Sequence, residues 1–436
     1  MSKQIVFILT LLVTLGVFSY TIYRLYRFFQ FTQSYRISDY KKRFGVMMKV
    51  AIAQTKIFRM PVIGFIHAMV FWGFIIITIG SIEMVFDGAL GLDRSFAFMG
   101  PLYNLIIGLG DFFAWFILAA MIIFLFRRIF LNIKRFKGEE MKPISKLDAN
   151  IALTIILFLM VSLIGMNIFY LAKHPYDYAG WFPISSQFVG NLMFTDPGRL
   201  IFWHEFYWWS HILLIFLFAN ILPYSKHFHV FVSVPNVFLS RLEALGYLSN
   251  MDAVTKEVKM MMNPETAFAA APENDAPPAR FGVKDVEDIT WKNYLDALAC
   301  TECGRCTAVC PANQTGKKLS PRKIMIDVRA RMKERGPDLI QFGKDHNDNK
   351  SLLRDYITEE ELWACTTCNA CAQECPVNIN QPSIILDMRR YLVMEEAKAP
   401  SGLNAMFTNI ENNGAPWQYS PADRLNWADD LYLNTK

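Results

Sequence analysis

Cys300-Thr-Glu-Cys303-Gly-Arg-Cys306-Thr-Ala-Val-Cys310-Pro311 and Cys365-Thr-Thr-Cys368-Asn-Ala-Cys371-Ala-Gln-Glu-Cys375-Pro376 are the stretches from which the rest of the chain can be read. Each has the spacing C-x2-C-x2-C-x3-C-P, and together they contain every cysteine present. That spacing suits thiolates around a cubane [4Fe–4S] cluster. Three closely spaced thiolates can wrap three corners of a cube, while the fourth, followed by a proline, points away.

Where two such runs occur, the fourth cysteine of each serves the other run's cluster. The expected sets are therefore Cys300, Cys303, Cys306 and Cys375 for one cluster, and Cys365, Cys368, Cys371 and Cys310 for the other. Three plainer readings compete. Zinc favours two separated C-x2-C pairs, which neither run has. Disulfides need an oxidising compartment, and the topology below places the runs in the cytosol. Inert buried thiols would have no reason to repeat a ligand pattern.

A chain of 436 residues is long enough for two or three domains. Its 53% hydrophobic and 19% charged residues point to membrane spans. The formal charge of +5 is modest and concentrated in span-flanking loops, so nucleic-acid binding has no support. Spans are expected at about 5–29, 61–86, 102–126, 151–171 and 203–225, in a membrane domain covering 1–232. Arg24, Arg27, Arg36, Lys41, Lys42 and Arg43 follow the first span, and Arg127, Arg128, Lys134, Arg135 and Lys137 follow the third. Positive charge stays inside. The N-terminus is therefore expected outside a bacterial-type cytoplasmic membrane, with everything after the fifth span in the cytosol.

Beyond the spans, apolar periodicity predicts an amphipathic helix over 233–262. The Ala- and Pro-rich 263–280 reads as a flexible linker. A helical cluster domain is expected over 281–395. Ser320-Pro321 marks a helix start with Gly336 as its stop, Thr358 with Glu361 a capping box, and Pro382 another helix towards Glu396. The tail, 396–436, either packs back on this domain or binds a partner. The fold class is all-α: a five-helix membrane bundle plus a helical ferredoxin domain.

Ionisable residues inside a bilayer are expensive, so each is a functional candidate. His67 lies near the inner end of the second span. His211 and His229 are about five helical turns apart and share a face, with His204 close to it. His67 is level with the inner end of the fifth span, where His229 can meet it, or His227 if Pro223 shifts the helix phase. Two facing imidazoles suit a b-type haem. His211 has no second histidine at its depth. Asp111 on the third span does reach that level, either as a quinone-site partner or as a helix-to-helix hydrogen bond. Glu83 and Glu205 read as solvated at the outer interface.

The stretch from His211 through Pro223, Ser225, Lys226 and His229 to Pro235 resembles the last span of the nitrate reductase gamma subunit family. That resemblance implies haem-ligand positions at His211 and His229, with His67 as the inner partner. The outer partner position, ten residues after His67, is Ile77, so the resemblance supports one haem b and withholds a ligand from a second. Residues 281–392 resemble the helical ferredoxin module of heterodisulfide reductase and anaerobic glycerol-3-phosphate dehydrogenase iron–sulfur subunits. Larger relatives add cysteine-rich CCG domains, and no cysteine follows Cys375 here. The resemblance thus implies a separate cytosolic CCG-domain redox partner. The expected function is a membrane-bound electron-transfer subunit of an oxidoreductase complex, passing electrons between a membrane quinone, a haem and two clusters. The alternatives are a haem-free anchor for a ferredoxin module and an iron–sulfur redox sensor.

Overall fold

The computed structural model of the chain describes residues 2–193, 195–263 and 280–433. Among these residues there are helices and no β-strand. Five helices are long and apolar enough to cross a membrane. They are α1 (Ser2–Phe31), and, after the short α2 (Tyr40–Met47), α3 (Pro61–Leu90), α4 (Pro101–Ile129), α5 (Pro143–Lys173) and α6 (Pro197–Ile221). All but the first begin with a proline at the first helical position. There its fixed φ suits the helix and its missing N–H costs no bond. α3 to α6 pack as sequential neighbours, and α1 lies along their side.

The end of α6 is where the expected geometry changes. The helix stops at Ile221, and two short 3-10 turns, Leu222–Tyr224 and Lys226–Phe228, flank Ser225 in an extended conformation. Pro223 removes a helical donor and Ser225 caps the next turn through the His227 N–H. A new helix, α7 (His229–Phe238), then begins. His211 and His229 therefore do not share one continuous helical face.

The helix expected over 233–262 is two helices with an irregular stretch between them. α7 ends at Phe238 and α8 covers Asp252–Met262. Between them the Arg241 guanidinium gathers the carbonyls of Ala244 and Tyr247 into a compact turn around Gly246. The linker expected at 263–280 falls, apart from its end residues, outside the described residues.

The C-terminal part has α9 (Trp291–Ala299), α10 (Pro321–Phe342), α11 (Glu359–Ala364) and α12 (Gln381–Met394). The capping box of Thr358 and Glu361 is present, each side chain meeting the other's backbone N–H. Gly336 does not stop its helix. α10 runs on to Phe342 and ends before Gly343, whose φ is +81°. A Cβ on Gly336 would stand 2.5 Å from the Phe28 ring of α1, so the glycine permits close packing. Phe28 and Phe228 belong to the same hydrophobic core as Val286, Met325 and Leu352 of the cluster domain. Burying a phenylalanine such as Phe28, 3% exposed, contributes roughly 1.5–3 kcal/mol to that joint. Gln33 extends it by pairing its backbone with Ile289 and Trp291.

The tail carries α13 (Ser401–Asn413) and α14 (Asn426–Leu433). α13 buries none of its residues, and Trp417 and Trp427 are exposed.

Candidate iron–sulfur and haem sites

Each cysteine run is built from short helical turns joined by sharp bends. α9 delivers Cys300, and α11 delivers Cys365 in the same way. The turn Arg305–Ala308 follows the left-handed Gly304, and Ala370–Glu374 follows the left-handed Asn369. Glu302 and Thr367 also have positive φ. Such backbone curls successive thiols towards one centre rather than spreading them around a helix.

The structure brings the thiols together in two crossed sets. Cys306 interacts with Cys300, Cys303 and Cys375, and Cys375 with Cys300 and Cys303. Cys371 interacts with Cys365, Cys368 and Cys310. That second set lines a small cavity bordered by Pro311, Pro321 and Pro382. Cys306 also senses Cys371, so the sets adjoin. Burial pushes the Cys300 thiol up to about 11, and those of Cys371 and Cys375 to about 12. Loading iron there must therefore displace protons. Among the described residues, no three His, Cys, Asp or Glu side chains converge as a single metal ion requires. Cys368 is exposed, while Cys375 and Cys306 are buried.

The first set faces the membrane bundle, at the end that carries the basic loops. Lys56 Nζ donates to the Cys375 carbonyl at 3.2 Å, and Arg59 pairs with Glu374 at 2.9 Å. Arg305 donates to the Lys56 carbonyl at 2.9 Å. A Cβ on Gly304 would stand 2.5 Å from the Arg135 carbonyl oxygen, which explains the glycine. Arg322, 1% exposed, pairs with Glu140 and donates to the carbonyls of Arg135 and Lys137.

A further buried link is Lys226 with Glu302, at 3.0 Å and with both side chains 6% exposed. Burial opposes the Glu302 charge, but Arg329 and then Lys226 hold its carboxyl below the usual range. Lys226 Nζ also donates to Ser145, and its backbone N–H to Asp148. Replacing Lys226 by methionine leaves the Glu302 carboxylate buried with Arg329 as its one cation and the Ser145 hydroxyl as its other partner. The expected cost is about 3–5 kcal/mol, read as a lower melting temperature for the cluster domain and faster proteolysis at 280–300. The sign with pH follows from the depressed carboxyl. Glu302's contribution is complete above its unfolded pKa and is lost as pH falls through the folded one. The gap between wild type and variant should therefore narrow in acid.

The same loop positions His229. Its Nδ1 lies 3.2 Å from the Lys226 carbonyl, an acceptor, so Nδ1 carries the proton and Nε2 has a free lone pair. His67 lies close enough to His229 and Arg305 to sense both charges, and its buried Nδ1 has no partner. The two thus bring an orphaned Nδ1 and an unprotonated Nε2 to the same end of the bundle. His227 stands beside His229, ring centroids 5.9 Å apart, and its Nδ1 meets Ser225 Oγ at 3.1 Å.

His211 and Asp111 are not paired. Asp111 accepts the backbone N–H groups of Ile184 and Ser185 at 2.9 and 3.0 Å, together with the Ser185 hydroxyl, and so pins the loop after α5. His211 Nδ1 lies 3.0 Å from the Leu159 carbonyl and 3.0 Å from Ser162 Oγ. Both residues do border one cavity. Glu83 is 2% exposed rather than solvated, because the Phe96 N–H and the Tyr103 hydroxyl draw it inward. Glu205 pairs with Lys3 at 2.5 Å in a part-exposed bridge. The interdomain contacts of Glu302, Arg305 and Glu140 have no periodic signal in the sequence, and Lys226 stands out there only through the resemblance of the last span, not as an interdomain contact.

Comparison with known proteins bears on the cysteine-rich half most directly. Residues 296–379 match the 4Fe-4S dicluster domain family. This part of the chain is a 4Fe-4S dicluster domain. Over 90% of its length the chain is 30% identical to the "Probable iron-sulfur-binding oxidoreductase FadF" of Bacillus subtilis, covering 56% of that protein. It is 28% identical to the "EtfAB:quinone oxidoreductase" of Syntrophomonas wolfei, over 87% of this chain and 53% of that one. One component of a CoB-CoM heterodisulfide reductase from Methanosarcina acetivorans is 35% identical over 107 residues, 24% of this chain and 52% of that one. The chain spans about half the length of the first two of these curated relatives. No solved structure matches it. An iron–sulfur electron-transfer protein with a multi-pass membrane part accounts for these likenesses and for the five spans.

Proposed function

We propose that the chain is a membrane-anchored electron-transfer subunit working between a membrane quinone and a redox partner beyond the dicluster domain. Cys300, Cys303, Cys306 and Cys375 hold one [4Fe–4S] cluster, and Cys365, Cys368, Cys371 and Cys310 the other. His67 and His229 hold a b-type haem. The observation that carries this reading is the contact between the first thiol set and the bundle, where Arg305, within the first run, reaches both Lys56 and the surroundings of His67. Bound haem and clusters supply one-electron redox chemistry. The protein orders the sites and buries Cys300, Cys306, Cys310, Cys371 and Cys375. The exposed Cys368 marks the end at which a partner approaches, a role for a separate CCG-domain protein. The basic residues at the cluster end of the bundle favour the cytosolic side of a bacterial cytoplasmic membrane for this domain.

The test is composition. The purified chain is expected to carry about eight cluster irons, eight acid-labile sulfides and one haem. A ferredoxin anchor without haem or a redox sensor would lack the dithionite-reduced b-type band.

A further inference from the structure

The cavity beside His211 is not used by the haem pair. It lies between α3, α4, α5 and α6, with Ile77, Gly80, Gly110, Arg94 and Asn167 among its walls, and it is open on one side rather than sealed. His211 is 1% exposed, and its buried Nε2 has no partner. Because Leu159 O can only accept, the contact to it places the proton on Nδ1 and leaves Nε2 as an acceptor. The cavity thus offers apolar walls, a few polar groups and one buried acceptor that the protein leaves unsatisfied. Such an acceptor is costly unless a ligand donates to it.

We propose that this cavity binds the head group of a membrane hydroquinone, with one ring hydroxyl donating to His211 Nε2. A flat ring with a hydroxyl at each end and an apolar tail matches these walls. The assignment rests on the electron-transfer reading above and locates its lipid-soluble reactant. Oxidation of the hydroquinone to quinone releases two electrons into the relay and two protons, the first passing to Nε2. The reverse reaction takes up all four. Arg94, Met84 and Met166 also border a second, polar cavity lined by Glu83, Asp87, Lys173 and His204, away from the cluster domain. It gives those protons an aqueous outlet.

The experiment uses the full chain in detergent with a short-tailed naphthohydroquinone, following haem reduction optically. Three variants are compared: His211→Leu, which removes the acceptor, and Gly80→Leu and Gly110→Leu, which fill the cavity. Neither glycine has an atom within 4 Å of where a Cβ would stand, so each has room for the added side chain. Each variant should raise the hydroquinone concentration for half-maximal rate by about tenfold or more, while dithionite still reduces the haem fully. Dithionite reduction reports an intact fold. Unchanged hydroquinone dependence in all three overturns the assignment. So does a wild type with about two haems per chain that falls to one in His211→Leu, since the cavity then holds a haem. A wild type that no hydroquinone reduces overturns the relay reading itself.

Discussion

Replacing Cys375 by alanine is expected to remove the cluster of the first run, although the substitution lies in the second. The purified variant should keep about half of its cluster iron and sulfide. The spin-resonance signal that survives should be the one lost in Cys310→Ala. Cys375 is buried among Cys300, Cys303 and Cys306, whereas Cys310 lines the cavity of Cys365, Cys368 and Cys371. The two variants should also differ in where electrons stop. The Cys375 set adjoins the membrane bundle through Lys56, so its loss isolates the second cluster from hydroquinone altogether. Loss of Cys310 should leave the first cluster reducible and block only onward transfer. Equal loss of both signals in either variant would mean that each run fills its own cluster, and the crossed assignment would fall.

The crossing is legible in the sequence because its cause is local. A fourth cysteine followed by proline cannot turn back on the three before it. The spans are legible for a similar reason, since apolar runs of that length have few other uses. Other features depend on contacts that no period encodes. Gly336 carries the signature of a helix stop, yet Phe28 of α1 takes the space that a side chain would fill. Pro223 hints at a phase change, but the extended Ser225 that redirects His229 is visible only in the folded loop. Asp111 and His211 sit at one depth, which suggests a pair. The backbone of Ile184 and Ser185 takes up the aspartate first, because amide groups at a loop entering the bundle must be satisfied. The feature furthest from any sequence signal is the polar joint of Lys226, Glu302 and Arg329. Charged residues scattered across 103 positions of sequence give no pattern until two domains meet on them.

Changing His67 to alanine is expected to take the haem content from about one per chain to near zero, with cluster iron unchanged. Hydroquinone should then fail to reduce the clusters, while dithionite still does. His67 opens towards His229 from near the first residues of α3, and its Nδ1 gains no bond from its surroundings. The His67 Nδ1 makes no protein hydrogen bond that the change would break, so its cost is confined to lost packing. His229→Ala should behave alike, because the Lys226 carbonyl that fixes its tautomer also fixes the direction of Nε2. His227→Ala is the control, for its ring lies beside His229 but its Nδ1 is tied to Ser225. If haem survives in His67→Ala and disappears in His227→Ala, the pairing is wrong. If all three retain it, the group is not held by these histidines. Only loss in the first two variants, with the third unaffected, places a redox centre at the junction where Arg305 links the bundle to the first thiol set.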